Sequence, residues 1–158
     1  MSASMVLLFA LGIGIVAGLR AMTAPAVVAW AAHLGWLNLV GSYFAFMGSK
    51  WALVIFTLAA LGELVNDQLP KTPARTTAGP LAARIVLGAL TGACLSVAGE
   101  ASLMLGALLG AIGAVIGAFA GYKARVGLVK SLGVRDFVVA IPEDLVAIGL
   151  ALLLVRRG

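Results

Sequence analysis

The sequence predicts an all-α fold, a polytopic transmembrane helical bundle of about five spans with one short interfacial or re-entrant helix. Three observations carry that prediction. Of the 158 residues, 63% are hydrophobic and only 11% are charged, whereas a soluble domain has about 25% charged residues. The charged residues divide the chain into neutral stretches at 1–19, 51–62, 85–99, 101–122 and 145–155, and 21–49 carries only His33. The apolar stretches also lack the apolar/polar alternation of outer-membrane strands. The same composition argues against a soluble enzyme, a collagen-like chain and a disordered one.

A helix needs about 20 apolar residues to cross a bilayer, with a range of roughly 17–25. The expected spans therefore fall at 4–20, 50–66, 80–98, 102–122 and 136–156, and the chain 1–158 reads as a single integral membrane domain. The first span has no basic n-region and runs through Gly14 and Gly18 straight into Arg20, so it reads as a retained helix rather than a cleaved signal. After Arg20 a new helix is expected over 23–34, with Thr23 as its cap and Pro25 in its first turn. Gly35, Asn38, Gly41 and Ser42 then interrupt it, and Trp30, Trp36, Tyr43 and Trp51 suit an aromatic belt at a membrane surface. A full sixth crossing inside 21–48 is the alternative. His33 reads as an interfacial polar tip, and the lone Cys94 as a packing residue.

Small residues recur at four-residue spacing: Gly14 and Gly18, Gly88 and Gly92, Gly106 and Gly110, then Gly113, Gly117 and Gly121. Such a face lets helix backbones approach closely in lipid. Close helix packing or dimerisation is the first reading, and a ligand path along a glycine-lined face the alternative. In the last span, Pro142-Glu143-Asp144 either starts a helix or kinks one that begins at Asp136. A start at Pro142 leaves only about 24 Å of helix, short for a core of about 30 Å. The longer helix is favoured, and it places Glu143 and Asp144 inside the bilayer.

Ala17-Gly18-Leu19-Arg20-Ala21 is similar to Ala120-Gly121-Tyr122-Lys123-Ala124, and each precedes a segment able to form a short helix, 23–34 and 124–133. This suggests repeat halves 4–66 and 104–157 linked by the span 80–98. Three crossings would separate the members of each pair, so the halves would be inverted, a frequent transporter design.

The formal net charge is +5. Lys71 and Arg75 lie in the loop 67–79, and Lys123, Arg125, Lys130 and Arg135 in 123–135. The excess of basic residues predicts that both loops are cytoplasmic, with Gly158 on the other side. Nothing in the basic segments is interleaved with aromatics for reading bases, so nucleic acid is not an expected partner.

Ionisable residues inside a membrane are functional candidates by default. Glu63 and Asp67 share a helix face, with Asn66 and Gln68 beside them, at a helix C-terminus where the dipole disfavours anions. A positive group should offset them: Arg20, Lys71, Arg75, Arg84 or a bound cation. The candidate substrate or ion site is Arg20, Glu63, Asn66, Asp67, Arg84, Glu143 and Asp144. No metal, cofactor or nucleophile signature is present, so an enzyme is not expected. A small transporter or channel with this polar site is the leading function. The alternative is a non-transporting assembly subunit or a module that binds lipid headgroups through its basic loops. Membrane lipids, a second copy of the chain and a small solute or ion are the expected partners.

The stretches Ala-Gly-Leu-Arg-Ala-Met-Thr-Ala-Pro at 17–25 and Glu-Leu-Val-Asn-Asp-Gln-Leu-Pro-Lys-Thr-Pro-Ala-Arg-Thr-Thr at 63–77, with Pro142-Glu143-Asp144, resemble an uncharacterised group of small bacterial membrane proteins catalogued as domain of unknown function 4126. The resemblance covers nearly the whole chain, and Glu63-Leu64-Val65-Asn66-Asp67 is its most specific part. It implies a multi-pass protein of the bacterial inner membrane and no particular activity.

Overall fold

Each charge-free stretch of the sequence lies largely within a helix in the computed structural model, which describes residues 1–69 and 74–157. In chain order the helices are α1 (Ala3–Leu19), α2 (Thr23–His33), α3 (Lys50–Asn66), α4 (Ala78–Ala98), α5 (Leu103–Leu132) and α6 (Asp136–Arg157), with a 3₁₀ turn at Ala45–Gly48. The described residues include no strand. Ser49 and Ser102 cap α3 and α5 by accepting from the Ala52 and Leu105 amides. Gly133, at φ 62°, ends α5 in the left-handed conformation that favours glycine. Three helices, α4, α5 and α6, are long and apolar enough to cross a membrane. The apolar α1 has 17 residues, about 25 Å.

The glycine-faced helices α1, α4 and α5 form the centre. Gly113 lies against Leu11, Gly117 against Ile15 and Gly121 against Leu19, so α1 and α5 run parallel. Gly88 meets Gly110 and Gly92 meets Gly106, so α4 and α5 run antiparallel. A Cβ on Gly110 would lie 2.1 Å from the Gly88 carbonyl oxygen, and one on Gly14 would lie 2.2 Å from that of Gly110. The spaced glycines are thus the seam of the three-helix centre. Outside it, α2 packs against α1, α3, α4 and α6, while α3 is peripheral and buries only Ala52.

Several expectations change. The short segment after Arg20 does not stay at one surface. Both α1 and α3 finish at the same end of the bundle, where Arg20 meets Asp67. Between them, α2 runs antiparallel beside α3: Met22 sits next to Glu63, Trp30 donates to Thr57 at 3.0 Å, and Ala32 sits next to Gly48. The segment 21–49 therefore returns the chain to the other end of the bundle. Only 11 residues of that return are α-helical, about 16 Å. The N-cap of α2 is Met22, and Thr23 is the first residue of the helix.

The expected break near Gly121 is also absent. A single helix of 30 residues runs through it, about 45 Å long. Because α1 and α5 are parallel, while α6 runs back towards the start of α1 with Leu154 against Gly12, no single two-fold axis relates 4–66 to 104–157. The similar Ala-Gly-x-Arg/Lys-Ala stretches are the two sides of one parallel helix pair, with Leu19 against Gly121. In contrast, α6 does start at Asp136 with Pro142 inside it, as the longer reading requires.

The seam makes a paired prediction. Gly110→Ala should destabilise the protein by about 1–3 kcal/mol through overpacking. Gly127→Ala, where a Cβ meets nothing within 4 Å, should be neutral or stabilising by about 0.5–1 kcal/mol. Thermal unfolding in detergent measures both, and equal effects would contradict the packing described.

Candidate functional site

A helix that stops leaves its last carbonyls and the next helix's first N–H groups without partners. In an apolar surrounding each such group costs several kcal/mol unless it is satisfied. Arg20, in extended conformation at φ −140° and ψ 107°, makes such a break between α1 and α2. Its own N–H donates to the Val16 carbonyl at 2.7 Å. Charged side chains from elsewhere supply the remainder. Arg84 Nε donates to the Gly18 carbonyl at 3.1 Å and Arg75 Nη1 to that of Leu19 at 3.2 Å. On the other side of the break, the two Glu63 oxygens accept from the Ala21 and Met22 amides at 2.8 Å each. Cations thus face the C-terminus of α1 and an anion the N-terminus of α2, the arrangement that helix dipoles favour.

These side chains are themselves linked. Arg20, fully buried, donates from Nη1 to Asp67 at 2.5 Å and pairs through Nη2 with Asp144. Arg84 Nη2 lies 3.5 Å from Glu63. Arg75 grips Glu143 with both ends of its fork, Nη2 to Oε2 being 3.2 Å. Arg125 reaches Asp136, with Nε to Oδ1 at 2.9 Å, and lies 3.5 Å from Asp67 and 3.7 Å from Glu143. The planar guanidinium suits such multiple pairing better than an ammonium would. Four arginines thus face four carboxylates, those of Glu63, Asp67, Glu143 and Asp144, each only 12% or 13% exposed. Asp136, 58% exposed, forms the rim. The inner eight charges balance. They lie about 20 Å along α4 and α6 from the opposite end of the bundle.

The expected cationic partners of Glu63 and Asp67 are therefore present as Arg84 and Arg20, and Glu143 and Asp144 join the same cluster. Asn66 is exposed on the last turn of α3. Lys71, Thr72 and Gly158 lie outside the described residues. Three members stood outside the expected site. Arg75 was named only as a possible counter-charge to Glu63 and Asp67 and pairs instead with Glu143, Arg125 was read as a loop cation, and Asp136 only as a helix start. The signal for Arg125 was the i+4 series Gly113, Gly117, Gly121, which continues onto it on one face of α5. Arg125 and Glu143 also line a cavity of about 390 Å³ between α5 and α6.

Removing one member of a buried pair leaves an uncompensated charge, at about 3–5 kcal/mol. Arg75→Gln and Glu143→Gln should each lower the unfolding temperature. The double variant should be less destabilised than the sum of the two, because they share one interaction. Strict additivity in thermal unfolding would mean that the pair is not coupled.

No curated protein and no solved structure matches this chain. A family model described as a domain of unknown function (DUF4126) matches residues 7–156, a range that includes the whole charged network. The chain, with its broken first helix held by arginines and carboxylates, belongs to that family, the domain of unknown function DUF4126.

Proposed function

We propose that this protein is a small, non-enzymatic, multi-pass membrane protein that moves a small solute or ion, with the network at the α1–α2 break as its polar site. The observation that carries the reading is the break itself. Irregular backbone at membrane depth is tolerated where it is buried in protein or lines a polar path, and discontinuous helices are a common way to build a translocation site. Here the break is surrounded by four carboxylates and four arginines from α1, α3, α4, α5, α6 and the segment before α4. The carboxylates best suit a proton or a monovalent cation, either of which would exchange with an arginine at Glu63 or Asp67.

A second reading has its own support. The balance of charge within the network is what a purely structural joint requires, as in an assembly subunit. Proton flux separates the two. In vesicles with a trapped pH dye and an imposed potassium diffusion potential, the wild-type protein should carry protons above the level of empty vesicles. Glu63→Gln and Asp67→Asn should return the flux to that level while remaining monodisperse and folded. Wild-type flux equal to that of empty vesicles, or unaltered flux in both variants, would favour the structural joint.

Orientation follows from the exposed basic residues. Lys123, Lys130 and Arg135 stand at the charged end of the bundle, which we place in the cytoplasm of a bacterial inner membrane. With all six helices crossing the membrane, both termini lie outside. In a Cys94→Ala background, a membrane-impermeant maleimide added to intact cells should label Ser2→Cys and leave Lys130→Cys unlabelled. The reverse pattern would invert the topology.

A further inference from the structure

The carboxylates of the network are not held equally. Glu63 accepts from two backbone amides and lies beside Arg84. Asp67 accepts from Arg20 and is reached by Arg125 as well. Glu143 takes both ends of the Arg75 fork, and Asp136 takes two nitrogens of Arg125. Asp144 has one ionic contact, from its Oδ1 to Arg20 Nη2, and that oxygen is buried without a hydrogen bond among the described residues. Arg20 itself is fully buried, and neither its Nε nor its Nη2 has a hydrogen-bond acceptor among them. The Arg20–Asp144 contact is thus a charge pair left without hydrogen bonds on both sides, in a place where a buried polar group is costly unless satisfied.

Charge counting leads to the same place. With Asp136 included, five carboxylates face four guanidiniums, so the described network carries one negative charge in excess. Arginine does not lose its proton in a protein, so the excess can be removed only at a carboxylate. Asp67 and Asp144 draw on the same guanidinium, through Nη1 and Nη2, and like charges that share a site favour protonation of one of them. Asp67 has Arg125 as a second counter-charge. The charged groups that act on Asp144 are Arg20, Asp67 and its neighbour Glu143, two of them anions. Of the helices packed against α6, α5 offers Arg125, which faces Asp67, Asp136 and Glu143, and α2 offers only His33, at its far end. Arg75 and Arg84 are taken by Glu143 and Glu63.

We propose that Asp144 is a proton-binding residue, which takes up a proton when Arg20 turns wholly to Asp67 and releases it when Arg20 returns. In the uptake step hydronium gives its proton to a carboxylate oxygen of Asp144. An O–H bond forms there, water is left behind, and Arg20 keeps both its charge and its bond to Asp67. No group has to leave the network. A monovalent cation at the same place would have to displace a guanidinium whose side chain is only 1% exposed. The species moved is then the proton, an assignment that rests on the transport reading, whereas the binding of a proton at Asp144 is read from the pairing alone.

Infrared difference spectra of the full chain in lipid vesicles, stepped from neutral to acid buffer, test this, with proton flux measured on the same vesicles. Acidification of the wild type should add a carbonyl stretch at the high frequency of a poorly hydrated carboxyl group. That band should be missing from Asp144→Asn, return at a shifted frequency in Asp144→Glu, and stay in Asp136→Asn, which changes only the exposed rim. If Asp144→Asn is not monodisperse in gel filtration, Asp67→Asn decides: with Arg20 left to Asp144 alone, the band should persist but need more acid buffer. A wild type without the band, an unchanged band in Asp144→Asn, or a band lost or unmoved in Asp67→Asn would overturn the proposal, even in a protein that carries protons. A band assigned to Asp144 in vesicles without proton flux would uphold the proton site and overturn the transport reading instead.

Discussion

The structure depends on what happens to four backbone groups around Arg20. The chain leaves helical geometry there, and an apolar surrounding cannot hydrate the freed carbonyls and amides. Gly18 and Leu19 give their carbonyls to Arg84 and Arg75, and Ala21 and Met22 give their amides to Glu63. Each of those partners comes from a different part of the chain. The end of α3, the start of α4 and the segment just before α4 are thereby tied to one point. Arg20 adds α6 through Asp144, and Arg125 adds α5 through Asp67. The network is thus both a set of helix caps and the joint at which all the long helices meet.

The glycine seam makes that joint geometrically reachable. With Gly14, Gly18, Gly88, Gly92 and Gly110 lacking side chains, α1, α4 and α5 approach to backbone contact. Arg84 can then cross from α4 to the end of α1 and still find the Gly18 carbonyl. The parallel pairing of α1 with α5 sets Gly121 level with Leu19, and one turn further on Arg125 arrives beside Asp67 and Glu143. Larger residues at the seam would separate the helices and pull the arginines away from the groups they satisfy. Packing and electrostatics are therefore one constraint in this protein rather than two.

Much of this is legible in the residues. Charge-free stretches mark the helices, Arg20 marks the break, and the misfit of Glu63 and Asp67 at a helix C-terminus demands arginines. The length that a membrane requires selects Asp136 over Pro142 as the start of α6. What escapes is non-local. Thr23 has the right side chain for a cap, but a carboxylate 42 positions away in sequence does that work. Composition does not fix whether 21–49 crosses, because glycines and aromatics suit either a surface segment or an irregular pass. That one undecided crossing sets the relative direction of α1 and α5, and so decides whether the similar stretches form an inverted repeat or face each other in one parallel pair. Glycine also tolerates either continuation or interruption of a helix, so the continuity of α5 through Gly121, and with it the place of Arg125, is settled only by packing against Leu19.

The most direct test of this account is hydrogen–deuterium exchange at the Ala21 and Met22 amides. A carboxylate that caps the break should keep both amides protected in the wild type. In Glu63→Ala their exchange should accelerate selectively, while the amides in the middle of α1 and α5 keep their protection. Fast exchange at Ala21 and Met22 in the wild type, or protection there that survives Glu63→Ala unchanged, would contradict the claim that the charged network exists to hold the broken helix.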